Sequence, residues 1–198
     1  MVMRSRRLED LFGARLDDMN YQDIKGLVGN PEAAEAEDLD YKRAHYGPDD
    51  KGREELAEDV AALANHRGGV LVLGMAEAKG VPSRVFDVDL DDHHLRRIRQ
   101  VVANNTAPPV PYEAICVANP DAEGTGFLLL AVPRSPAAPH AVTASPSKDV
   151  LRYPRAQGAR LTGSPKRWWP PPTGPGTQQQ PPAISGWPMW KATSFCQS

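Results

Sequence analysis

The 198-residue chain is 40% apolar, 24% charged and 7% aromatic, with a formal net charge of −2. That suits one domain with an aliphatic core plus some extra chain. It excludes a basic coat over the whole surface but not a local basic groove. Two cysteines, Cys116 and Cys196, exclude a disulfide framework and a cysteine-based zinc site, and two unpaired thiols fit a cytoplasmic protein. No run reaches the roughly 18 apolar residues of a membrane span. The best run, Phe127 to Val132, is strand length, so no membrane partner is expected. The basic start, Met1 to Arg7, leads into no apolar h-region; no secretory signal is read, and the expected location is the cytoplasm.

Leu8, Leu11, Phe12 and Leu16 recur at helical spacing and predict a helix over 5–17. Asn20 caps a second short helix through Leu27, ended by Gly29-Asn30-Pro31. Residues 38–43 alternate and read as a strand. Asp50 caps the next helix, which runs to about His66 with Leu56, Val60 and Leu63 on one face and stops at Gly68-Gly69. Val70 to Leu73 are four consecutive apolar residues, the mark of a strand covered on both faces. A short strand is expected over Val85 to Val88. Asp91 or Asp92 caps another helix with Leu95, Ile98 and Val102 facing in, which ends near Asn104-Asn105 before Pro108-Pro109. Glu113 to Ala118 and Gly126 to Val132 read as paired strands, and Val150 to Tyr153 as a last one. The order of elements gives an α/β (α+β) domain with a mixed sheet flanked by helices.

Charge and composition divide the chain. Residues 1–60 carry 16 acids against 9 bases, and from Val150 onward there are six bases and no acid. The stretch 163–198 holds 8 of the 20 prolines and all four tryptophans, without helix or strand period. It is read as a disordered Pro/Trp-rich tail, with a polyproline ligand as the functional alternative. The abrupt change also motivates an out-of-frame translation of a GC-rich gene, which resequencing of the 3′ end decides. The expected division is a helical segment over 1–30, a domain over 31–162 and the tail over 163–198.

Three stretches carry residues with chemistry. Glu35 to Lys42 places four acids ahead of a lysine. If the first two strands are neighbours, Glu35 and Asp40 can meet Glu77, and three converging carboxylates suit Mg²⁺ or Mn²⁺ as a candidate cofactor. Such an acid-rich loop reads equally as solvated surface. Ala64 to Gly74 is a helix–stop–strand unit whose Gly68-Gly69 either caps the helix or lets a phosphate approach the backbone. The third stretch is Val132 to Pro136 with Pro139-His140, then Leu151 to Tyr153. His93-His94, with no spaced Cys or His partner, reads as a helix N-terminal surface. Neither G-x-x-x-x-G-K-[ST] nor G-x-G-x-x-G is present. Lys42, Arg43, Arg67, Arg96, Arg97, Arg99, Arg152 and Arg155 line a phosphate-tracking surface if they share a face, and are ordinary solvated charge if they do not.

These three stretches, in this order, resemble the Schlafen-type AlbA-like domain, a family of nucleic-acid-binding modules. Its pattern runs E-S-x-x-x-E-F-K, then A-x-A-N-x-x-G-G-x-[LIV]-x-[LIV]-G-V-x-[DE], then a P-P-S-x-x-x-P-H-like segment and a Y-x-R-like strand. Here Glu35 to Lys42 carries Ala36 for Ser, Asp40 for Glu and Tyr41 for Phe. Ala62 to Glu77 carries Met75 for Val, and Pro133 to His140 with Leu151 to Tyr153 supplies the rest. The resemblance covers about residues 33–162, and the N-terminal helices fit a bacterial version. Some vertebrate members are similar to RNA endonucleases that cut tRNA or rRNA with three acids. Carried over, these fall on Glu35, Asp40 and Glu77, although Asp40 is one methylene shorter than Glu and Ala76 stands where an acid can follow the strand.

The resemblance and the basic back half make a DNA- or RNA-binding module, regulatory in role, the leading expectation. Two alternatives stand beside it: a metal-dependent endoribonuclease using Glu35, Asp40 and Glu77, and a protein-interaction domain without catalysis. A homodimer is the candidate assembly.

Overall fold

The computed structural model describes residues 3–143 and 151–156. The tail over 163–198, Cys196 and the first residue of the strand expected at Val150 lie outside the described residues.

Ser5 caps α1 (Arg6–Phe12), and Gly13 ends it at φ 72°, a left-handed conformation that glycine adopts without strain. The helix is therefore shorter than the 5–17 that periodicity predicts, yet Leu16 is still buried at 1% exposure. Asn20 caps α2 (Tyr21–Lys25) in a reciprocal box with Asp23. A 3₁₀ turn over Pro31–Ala33 leads into β1 (Leu39–Lys42). Asp49, not Asp50, caps α3 (Asp50–Ala64), whose C-cap is Asn65. Gly68 and Gly69 accordingly belong to β2 (Gly68–Leu73) rather than to a helix stop. Gly68 sits at φ 80°, and a Cβ there would come within 2.6 Å of the Arg134 nitrogen and the Val132 carbonyl, so backbone approach demands the glycine.

A hairpin that periodicity does not reveal follows, β3 (Met75–Ala78) and β4 (Val81–Val85), turning through Lys79 and Gly80 at positive φ. The strand expected over 85–88 is divided. β4 ends at Val85 and β5 (Val88–Asp89) begins at Val88, with Asp87 at φ 38° between them. Tyr21 and Asn119 hydrogen-bond the Asp87 carboxylate and hold that bend. Asp91 caps α4 (Asp92–Asn105). The remaining strands are β6 (Thr106–Ala107), β7 (Glu113–Ala118), β8 (Thr125–Pro133) and β9 (Ala141–Val142).

β1 runs parallel to β2, β2 antiparallel to β8, and β8 pairs antiparallel with both β7 and β5, which makes a five-stranded mixed sheet. Along β2, Leu71 and Leu73 pack with α3 and α4, whereas Val70 and Val72 pack with α1 and α2. Leu128, Leu130 and Val132 of β8 join the first core, and Phe127, Leu129 and Ala131 the second. The uninterrupted apolar run is thus explained by helices on both faces. A register slip of one residue would exchange the two sets. Truncating a fully buried leucine such as Leu71 to alanine would cost about 3 kcal/mol. Among the described residues no helix is long and apolar enough to cross a membrane.

Candidate functional site

Alternation along β1 sends Leu39 and Tyr41 into the core beneath α1 and α2, so Asp40 and Lys42 take the opposite face. The Lys42 ammonium lies 2.8 Å from Asp40 Oδ2 and 2.9 Å from Asp59 Oδ2, the latter from α3. Tyr46 donates its hydroxyl to the same Asp59 oxygen at 2.8 Å. Burial opposes the lysine's charge, but Asp59 and Asp40 outweigh it and hold the ammonium above the ordinary lysine range. Burial, reinforced by the Asp59 charge, pushes the Tyr46 phenol well up.

The parallel pairing of β1 with β2 meets the condition for the three acids to approach one another. Burial first, then a hydrogen bond with Asp40 and the charges of Asp40 and Glu77, push the Glu35 carboxyl up to about 7, against the opposing pull of Lys42. Glu35, hydrogen-bonded to Asp40, therefore exchanges its proton near neutral pH. Glu77 is engaged elsewhere: its Oε2 accepts from the Gly80 N–H at 2.6 Å in the β3–β4 turn. Among the described residues, Glu35, Asp40 and Glu77 are not a set whose ligand atoms all lie within 4.8 Å of one another; Asp91, His93 and His94 are.

The basic residues fall into two groups. Lys42 and Arg152 face carboxylates of α3, Arg152 pairing with Glu54 and Glu58. Apart from the half-buried Arg97, the others point to solvent. Arg43 lies 4.0 Å from the centroid of the Phe86 ring, Arg67 is 76% exposed with Glu37 4.0 Å away, and Arg96 is 70% exposed with Asp92 at 3.4 Å. Arg99 and Arg155 are exposed as well. Arg96 and Arg99 stand one turn apart on α4, hence side by side on its surface.

The loop after β1 meets α4 across a cleft of about 650 Å³ lined by Arg53 and Arg97, by His45, His93 and His94, and by no carboxylate. Arg97 donates to the Tyr46 carbonyl at 2.8 Å and to the Gly47 carbonyl, which clamps the loop to α4. Gly47 and Gly52 touch backbone to backbone, so the loop also seats on the first turn of α3. Arg53 donates to the Pro48 carbonyl at 2.8 Å and pairs with Asp50. His45 Nε2 meets the Asp89 carbonyl at 2.8 Å, and its ring stacks on His94 with centroids 4.0 Å apart. Sequence spacing does not single out Arg53 or His45, because they stand some forty residues before α4 and only tertiary packing, that of α3 on α4 included, brings them there. A second cleft, on the Lys42 side of the same loop, is of mixed charge, lined by Lys42, Arg43 and His45 as well as by Glu55, Glu58 and Asp59.

The glycine-rich unit serves a structural purpose here. Asn65 accepts from the His140 N–H at 2.6 Å and donates to the carbonyls of His140 and Pro154, each at 2.9 Å. One side chain therefore joins the end of α3 to both later stretches that carry the resemblance. His140 is fully buried, and its Nδ1 meets the Pro108 carbonyl at 2.6 Å. A carbonyl only accepts, so the proton sits on Nδ1.

Comparison with known proteins gives the family. No curated protein matches the chain. Two solved structures share 21% and 20% identity with it, each at a TM-score of 0.44. One is the DIP2311 protein from Corynebacterium diphtheriae, matched over 78% of this chain, which spans 25% of that protein's length. The other is the N-terminal domain of a RecG-related protein from Nitrosomonas europaea, matched over 86% of this chain and 97% of that domain. The model of the family described as Schlafen, AlbA_2 matches residues 35–158, more than half of the sequence, and the chain belongs to that family.

Proposed function

We propose that this domain binds nucleic acid, with the cleft between the His45–Pro48 loop and α4 as its contact surface. The carrying observation is the lining: two arginines and three histidines with no carboxylate, beside the exposed Arg96 and Arg99 of the same helix. Phosphates are attracted to such a surface, whereas the cleft across the loop sets three carboxylates against Lys42 and Arg43. Membership of the Schlafen AlbA_2 family supports the same reading. The test is binding of labelled tRNA and of DNA duplex over a salt series. Expected is an affinity that falls linearly on a log–log plot, with a shallower slope in Arg96→Gln/Arg99→Gln. Absence of binding at low salt defeats the proposal.

A second reading, metal-dependent cleavage of structured RNA, draws on the raised Glu35 carboxyl beside Asp40 and Glu77. The donor set fits a hard divalent ion in its chemistry, since all three groups are carboxylates. Glu35 and Asp40 would hold it, with Glu77 as the third donor. Bound Mg²⁺ or Mn²⁺ would polarise a phosphodiester and activate water. Lys42 pairs with Asp40 at 2.8 Å, and Glu35 would have to release its proton before it could serve as a donor. Mn²⁺-dependent fragments of tRNA that disappear in Glu35→Ala support this reading, and fragments unchanged in the variant defeat it.

A further inference from the structure

We propose that Asp91, His93 and His94, on the first turn of α4, form a site for a divalent first-row transition ion of the zinc type. Each offers one ligand atom, and these atoms lie within 4.8 Å of one another. The donors are two imidazole nitrogens and a carboxylate oxygen, a mixture that selects zinc, cobalt or nickel over the all-oxygen preference of magnesium and calcium.

Two of the donors already stand at the spacing of neighbouring ligands. His94 Nδ1 lies 2.8 Å from Asp91 Oδ1. An ion on Nε2 would lie across the ring from Asp91, so an ion shared with Asp91 takes Nδ1, and its binding displaces the hydrogen of that contact. Asp91 Oδ1 also caps the helix by accepting from the His94 N–H at 2.8 Å, and its second oxygen remains for an ion.

A separate element fixes the ring. His45, from the loop after β1, stacks on His94 at 4.0 Å with 10° between the planes, and it is held there by the Asp89 carbonyl. His93 meets His94 edge-on at 5.4 Å. His94 is thus oriented by packing against two rings before any ion arrives, and this lowers the ordering cost of binding. The positive end of α4 and the cleft arginines oppose a cation, and the Asp91 and Asp92 carboxylates offset them.

The inference is independent of nucleic-acid binding, and its test uses none. The full chain is titrated with Zn²⁺ by calorimetry and with Co²⁺ by absorption spectroscopy. Expected is saturable Zn²⁺ binding and a Co²⁺ ligand-field band, both weakened at least about tenfold in His93→Ala/His94→Ala and in Asp91→Asn. Asparagine preserves the helix cap, so the second variant separates ligation from folding. His66→Gln should bind as the wild type does. No saturable Zn²⁺ binding by the wild type, or equal affinity in the double variant, overturns the proposal.

Discussion

Asn65 and His140 are joined by two hydrogen bonds running in opposite directions, His140 N–H to Asn65 Oδ1 at 2.6 Å and Asn65 Nδ2 to the His140 carbonyl at 2.9 Å. With its further bond to Pro154, the one amide satisfies three backbone groups from two segments that have no strand partner of their own there. Asn65→Ala strands those groups, each worth on the order of 1 kcal/mol or more when buried. The expected loss is about 3 kcal/mol in a denaturant midpoint experiment. Asn65→Asp keeps the acceptor but puts a carboxylate against two carbonyls, so it should be no milder. A loss below about 0.5 kcal/mol would mean that residues 151–156 are not held by this contact.

Lys42 is the counter-ion of a half-buried acid pair. Its removal takes the ammonium away from Asp40 and from Asp59, which is only 8% exposed. Breaking a buried pair from one side typically costs about 3–5 kcal/mol, whereas replacing both partners is close to neutral; partial exposure of Lys42 puts the expectation at the low end. Lys42→Met should therefore lower the thermal midpoint markedly, and Lys42→Met/Asp59→Leu should recover most of it. A double variant as unstable as the sum of its parts would show that the pair is not coupled.

Arginines that look alike in sequence should behave differently in solution. Arg96 and Arg99 are exposed on α4, whereas Arg152 pairs with Glu54 and Glu58 on α3. Removing one phosphate-binding side chain reduces the salt slope of nucleic-acid binding by about 0.7–0.9. Arg96→Gln and Arg99→Gln should each do so without change in stability. Arg152→Gln should lower stability and leave the slope alone. A slope reduced equally by all three would put Arg152 on the contact surface.

Much of the frame is legible in the sequence because local chemistry and tertiary packing agree along it. Asn20 caps α2 as its residue type demands, and the unbroken Val70–Leu73 run announces helices on both faces. The early end of α1 is hidden because Leu16 keeps the helical period although Gly13 has already turned the chain. The β3–β4 hairpin is hidden because Met75–Ala78 alternates only weakly and its Lys79-Gly80 turn resembles ordinary loop. The carboxylates stand out because they cluster in sequence around Lys42, but the strand order that brings Glu77 near them enters only as a condition. The cleft has no sequence signal: His45, Arg53 and Arg97 reach it from a loop and two helices, and no sequence period links them.

Glu35 supplies a pH signature that comes first from its burial and then from its contact with Asp40. Its carboxyl is raised from the ordinary range to about 7 in the folded state. Between the ordinary glutamate value and about 7, the folded chain therefore holds a proton that the unfolded chain has released. Stability contributed by that proton is complete below the window, falls as pH rises through it, and levels off above it. Glu35→Gln keeps the shape of the protonated group and cannot titrate. The difference in thermal midpoint between variant and wild type should therefore grow in the variant's favour from about pH 5 to about pH 8; a constant difference would show that the Glu35 carboxyl is not raised in the folded state. A hard divalent ion acts in the opposite sense, because it binds the ionised carboxylates and stabilises the state that carries them. If Glu35 and Asp40 hold Mn²⁺, adding it near pH 8 should raise the wild-type midpoint and leave that of Glu35→Gln where it was. An equal rise in both would place the ion elsewhere, for which the Asp91, His93 and His94 set is the candidate to test by Asp91→Asn.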